Sequence, residues 1–228
     1  MKLLRARLIS VFFLTVMSIS VIADASADES QWQLEKQDDE LGIKVYTREV
    51  AGSDLRAFRG EMTIASTLTA PIALLEDTQR APDWMHNCGI VEIIESIQPG
   101  EALSYVITKA PWPVSDRDTV VHSIATQDPD TLVVRVDVSV RNDVFPANDE
   151  FVRITQMSGY WLFSPAKSGE KGVLDVVYEV HAEPNGGLPS WLANSVVVDT
   201  PYFTLKNMQK LLQAEHYQQA ELSFIRNR

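Results

Sequence analysis

The sequence predicts an α+β domain in which a curved antiparallel sheet is wrapped around one long C-terminal helix. Three observations predict it. Segments with period-two alternation recur along the chain. The clearest is Leu132–Val140, where Val134, Val136, Val138 and Val140 share one face and Arg135, Asp137, Ser139 and Arg141 the other. Turn signals such as Pro99-Gly100 and Asp128-Pro129-Asp130 separate neighbouring strands, which favours hairpins over parallel crossovers. The stretch Gly186–Leu212 carries Val198, Tyr202, Leu205, Met208 and Leu212 at helical spacing, so one of its faces is apolar. A long helix with an apolar stripe must lie against something, and the sheet's apolar face is the only large partner this chain offers.

The elements follow in order. Lys2, Arg5 and Arg7 precede an uncharged apolar run, Leu8–Ile22, and Ala25-Ser26-Ala27 supplies small residues for cleavage. Residues 1–27 therefore read as a cleaved signal peptide, with a second site after Ala23 and an uncleaved anchor as the alternative. Export is expected, to the periplasm if the source is a Gram-negative bacterium. Residues 28–228 then form a single domain. Within Asp28–Glu40, Trp32 and Leu34 suggest a short helix docked on the sheet. Gly42–Arg48 and Leu55–Ile64 make a hairpin around Gly52-Ser53-Asp54. Leu68–Trp84 reads as helical from about Thr69, with Pro71 in its first turn and Pro82 ending or breaking it. Gly89–Ser96 and Ala102–Thr108 form a second hairpin. Pro111 and Pro113 fence Trp112 into a stiff loop. Strands follow at Thr119–Ala125, Leu132–Val140, Phe151–Gln156, Tyr160–Pro165 and Val173–Glu183. In the last, Val176, Tyr178, Val180 and Ala182 face in. Pro189 suits the first turn of the closing helix, and Pro201 should kink it.

Bulk chemistry narrows the function. The 228 residues hold 20 Lys+Arg against 31 Asp+Glu, a net charge of −11. Removing residues 1–27 takes away three basic residues and one acid, leaving 17 against 30, or −13. That balance argues against a nucleic-acid surface and against electrostatic docking on anionic lipid. A transient membrane contact stays compatible with it. Cys88 is the single cysteine, so no internal disulfide forms and the core alone holds the fold. A monomer is expected.

Six stretches together resemble one family. They are GIKVYTR (Gly42–Arg48), Phe58-Arg59-Gly60-Glu61, Trp84-Met85, PWPVSDRD (Pro111–Asp118), Gly159-Tyr160-Trp161, and PSWLANSVVVDTPYFTLKNM (Pro189–Met208). In this order and spacing the chain resembles START, the StAR-related lipid-transfer domains, and especially their exported bacterial members, from about Trp32 to Leu212. The resemblance implies a helix-grip fold with an internal tunnel for one hydrophobic molecule, a lipid, and no cofactor. It places Arg117 in the tunnel and makes a lid of the loop before it and the C-terminal helix. In several members that arginine pairs with an acid on the preceding strand. Here Leu103–Thr108 offers none.

Individual residues keep two readings each. Arg117 either enters the tunnel or makes a surface salt bridge with Asp116 or Asp118; an unpaired buried guanidinium would need a carboxylate, a ligand oxygen or water. Tyr105, Ile107, Trp84, Met85 and Val121 line the cavity or are ordinary core. Trp112 and Pro113 form a gate or a plug. Val197, Pro201, Leu205 and Met208 belong to the helix half of the lid, where Pro201 is either a hinge or a bend that follows the sheet. No GxSxG, HExxH or Walker loop is present. His86 and Cys88 lack a third group for nucleophilic chemistry and further ligands for zinc. Enzymes on this scaffold cyclise polyketides by acid–base chemistry. That reading needs His122 or Asp118 in the cavity, yet alternation sets His122 out of phase with Arg117. A collapsed interior serving as a protein scaffold is the third possibility.

Overall fold

A computed structural model describes residues 31–187 and 190–227, apart from the side chains of residues 190, 191 and 194. The signal segment and Pro189 lie outside the described residues. Ten strands form one sheet: β1 (Gln33–Asp38), β2 (Ile43–Arg48), β3 (Ala57–Ala65), β4 (Cys88–Gln98), β5 (Glu101–Thr108), β6 (Arg117–Gln127), β7 (Val134–Val140), β8 (Val152–Arg153), β9 (Gln156–Pro165) and β10 (Val173–Glu183). Their order is β1-β2-β3-β10-β9-β7-β6-β5-β4, every neighbouring pair antiparallel. Only β8 departs, pairing parallel to the start of β6. Between β3 and β4, α1 (Thr69–Glu76), a 3-10 turn (Thr78–Arg80) and α2 (Ala81–Trp84) carry the chain to the far edge. The long helix α3 (Ser190–Leu211) and the short α4 (Glu215–Gln218) end it.

Three local expectations are corrected. The first segment is an edge strand, not a helix: β1 pairs with β2, Leu34 is 50% exposed, and the Trp32 ring lies under the guanidinium groups of Arg48 and Arg59 at 4.8 and 4.6 Å. The helical stretch breaks at Asp77, and Pro82 sits inside the first turn of α2, where its missing N–H costs nothing. The strand expected over Phe151–Gln156 shrinks to Val152–Arg153.

The long helix reaches the sheet because of one glycine. A Cβ on Gly60 of β3 would sit 2.7 Å from Leu205 Cδ1 and 3.0 Å from Pro201 Cβ. Leu205, Met208 and Leu212 are thereby buried with Ile43, Val45, Met62 and Phe163 in the main core. The Tyr202 hydroxyl donates to Asp38 Oδ2 at 2.7 Å, tying the helix to the β1 edge. After the helix the chain folds back onto α1: the Gln218 amide donates to Ser66 Oγ and the Leu212 carbonyl, and Asn227 Nδ2 to Thr69 Oγ1.

Candidate functional site

Between the sheet's inner face and the first half of α3 lies a cavity of about 750 Å³. Alternation builds its floor. On β6 the residues Arg117, Thr119, Val121, Ser123 and Ala125 all face it, a run of roughly 26 Å at a strand rise of ~3.3 Å per residue. Val136 and Val138 of β7, Trp161 of β9, and Tyr178, Val180 and Ala182 of β10 continue that floor. Trp161 and Tyr178 stack with ring centroids 3.8 Å apart, and Phe58 meets Tyr178 edge-on at 5.1 Å. The helix supplies Leu192, Val196, Val197, Thr200 and Thr204, whose spacing of three to four puts them on one side. Ile72 and Leu75 of α1 also line it.

The expected cavity residues divide. Arg117, Met85 and Val121 line the hollow. Tyr105 and Ile107 do not, and the register explains why. Across β5 and β6, Thr108 pairs with Arg117 and Ser104 with Val121, while Tyr105 pairs with Val120 and Ile107 with Asp118. Antiparallel partners share a face, so Ser104, Val106 and Thr108 face inward and Tyr105 and Ile107 outward. There they are buried with Val120 and Phe151, and Phe145 packs on the Tyr105 ring at 4.9 Å. Trp84 is core: fully buried, it meets Trp161 edge-on at 6.0 Å. Of the expected lid, Val197 lines the cavity, whereas Pro201, Leu205 and Met208 are packed in the core side of the helix. Trp112 is 91% exposed and Pro113 is also in solvent; Lys109, Ala110 and Pro111 are the parts of that loop that reach the cavity.

Arg117 is the pivotal side chain. It is only 5% exposed, and among the described residues neither flanking acid makes a hydrogen bond to it. Asp116 accepts from Lys109 Nζ at 2.8 Å and from the Ala110 amide at 2.9 Å. Asp118 points the other way, its two oxygens held by Arg153 Nε at 2.9 Å and Nη2 at 2.7 Å, with the Tyr105 hydroxyl donating at 3.0 Å. Arg117 donates from Nη1 to the Ser115 carbonyl and from Nη2 to the Asn185 carbonyl at 3.4 Å, and its Nε has no protein partner among the described residues. Burial pulls its pKa below the ordinary guanidinium value, against the opposing field of Asp116. A buried cation without a carboxylate is destabilising by several kcal/mol.

The other polar groups facing the hollow are poorly placed for chemistry. Burial pushes the Cys88 thiol up to about 11, so it is neutral and unreactive at neutral pH. Burial lowers the pKa of His86, whose ring stacks on Phe203 at 5.0 Å. His122 faces away from the cavity and pairs with Glu101 at 2.8 Å, and Asp118 is also on the outer side. The acid–base pair that cyclase-type chemistry would require from these two residues is therefore not assembled inside.

Comparison with known proteins agrees with this architecture. The START domain family model matches residues 18–217. An uncharacterized protein of Pseudomonas aeruginosa is 34% identical over 197 residues, covering 86% of this chain and 94% of that protein. The crystal structure of a STAR-related lipid transfer protein fragment from Xanthomonas axonopodis superposes with a TM-score of 0.72 at 36% identity, covering 81% of this chain and 99% of the fragment. Human StAR-related lipid transfer protein 5 shares the fold at 19% identity, with a TM-score of 0.69 over 81% of this chain and 87% of its own. A ten-stranded sheet gripping a C-terminal helix, matched along nearly the whole sequence, makes this chain a member of the START domain family.

Proposed function

We propose that this protein binds one hydrophobic molecule, a lipid, in the hollow between the sheet and the first half of α3, and carries it without chemical change. The observation that carries the reading is the cavity itself. Its volume of about 750 Å³ lies within the range of small-molecule sites and far above that of a collapsed interior. Its lining surface is mostly apolar, with valine the commonest lining residue. Transfer of apolar ligand surface out of water, at about 25 cal/mol per Å², supplies the affinity. Exchange runs through the residues that border the cavity from outside the sheet, Lys109–Pro111 and the Leu192–Thr200 stretch of the helix. The amino-terminal segment sends this activity outside the cytoplasm.

The test is native mass spectrometry on the exported protein, paired with uptake of a fluorescent lipid. A co-purifying apolar molecule in one-to-one ratio, displaced by the probe, is the expected result. A protein that carries nothing and takes up no probe would overturn the reading.

A further inference from the structure

The chemistry of the head can be argued from charge. Two charged side chains are deeply buried among the described residues, Asp118 at 1% and Arg117 at 5% exposure. The first is fully matched by Arg153 and the Tyr105 hydroxyl. The second has only backbone carbonyls and a free Nε–H, and it opens on the cavity. The other cations that border the hollow are already committed: Lys109 to Asp116 at 2.8 Å, Arg56 to Glu35 at 2.8 Å. One carboxylate also borders the hollow. Glu76 at the end of α1 lines it, whereas Glu101, seven residues along β5 from the Thr108 partner of Arg117, lies on the outward face with His122. Among the described residues the hollow thus holds one cation with no contacting carboxylate in a mostly apolar lining.

We infer that the molecule held in this cavity is an anionic amphipath, whose carboxylate or phosphate head pairs with Arg117 and whose chain runs along β6 toward Ala125. The inference rests on the proposed binding role of the cavity. A guanidinium presents a planar fork of donors that matches two oxygens of one anion. A hydroxyl head would satisfy Nε but leave the buried charge without a counter-ion, and a cationic head would be repelled. Repulsion from Glu76 disfavours an anionic head elsewhere along the lining.

The experiment is a set of titrations of the delipidated full-length protein, with displacement of an uncharged fluorescent probe as readout. The ligands share one chain: oleate, oleoyl lysophosphatidate, oleyl alcohol and oleylamine. Acetate and inorganic phosphate serve as heads without chains. Both anionic lipids should bind at least tenfold tighter than the alcohol, the amine weakest, and the chainless anions should bind at least a hundredfold more weakly than oleate. Arg117→Met should bring acid and alcohol within about twofold, and Arg117→Lys should retain part of the preference. Equal binding of acid and alcohol, or an undiminished preference in Arg117→Met, overturns the anionic head while the cavity reading stands. Acetate or phosphate binding as tightly as oleate overturns the amphipath. Failure of every chain to bind removes the cavity reading itself.

Discussion

Substituting a bulky ring at Val121 asks whether the interior is hollow, and its neighbour supplies the control. Val121 faces the cavity and is half-buried, while Val120, the preceding residue on β6, is fully buried on the outer side with Tyr105 and Ile107. An indole buries ~150–250 Å², on the order of 100 Å² more than the valine it replaces. At about 25 cal/mol per Å², Val121→Trp therefore gains up to ~2.5 kcal/mol if it finds empty space. In packed surroundings the same change loses about 1–3 kcal/mol. The sign of the effect separates the two cases. Urea denaturation with linear extrapolation should give Val121→Trp a stability equal to or above the parent, and Val120→Trp a loss of at least ~1 kcal/mol. Uptake of the fluorescent lipid should fall in Val121→Trp, whose ring takes ligand space. If Val121→Trp is destabilised by more than ~1 kcal/mol and still takes up the lipid at full capacity, the argument for a hollow beside β6 fails.

Three further outcomes are expected. Gly60→Ala places a Cβ against Pro201 and Leu205 and should cost about 1–3 kcal/mol, read as a lowered urea midpoint with an unchanged slope. Cys88, with its thiol at about 11 against an ordinary 9.0, should be alkylated about 100-fold more slowly than a free thiol at pH 8. Since only the thiolate reacts, the rate should climb with pH up to about 11; a plateau by pH 9 would contradict the burial argument, and bound lipid should slow the reaction further. Arg153→Met leaves the buried Asp118 carboxylate with the Tyr105 hydroxyl alone and should cost about 3–5 kcal/mol by denaturation, without altering the ligand preference that Arg117 sets.

Much of the scaffold was legible because alternation is a strong signal when one face is covered. Val173–Glu183 appears in the structure with the bounds its pattern gave, and its inward set of Val176, Tyr178, Val180 and Ala182 faces the core and cavity. The helix over Ser190–Leu211 follows from its apolar stripe. The site was less legible, for a physical reason. On β5 both faces carry apolar residues: Tyr105 and Ile107 on one, Ala102 and Val106 on the other. Pattern alone cannot say which face is inward; the register with β6 decides it, and a one-residue shift exchanges the two sets. The more apolar face was already occupied, because the loop carrying Phe145 and Phe151 folds over the outside of the sheet. A clue was present in Arg117: once it is placed inward, the alternation of β6 sends Asp118 outward. The short β1 was missed because an edge strand with one neighbour carries little apolar pattern of its own.

The two halves of the long helix do different jobs. Before Pro201 the helix contributes Leu192, Val196, Val197 and Thr200 to the cavity lining; after it Leu205, Met208 and Leu212 are buried in the main core. Proline withholds one backbone hydrogen bond at the boundary, so the turns on either side are only loosely coupled. A lid made of Leu192–Thr200, if Pro201 is its hinge, would separate the free energy of admitting a guest from that of keeping the protein folded. Under the proposed binding role, exchange of the ligand would then be tuned in one segment of the helix and thermal endurance in the other.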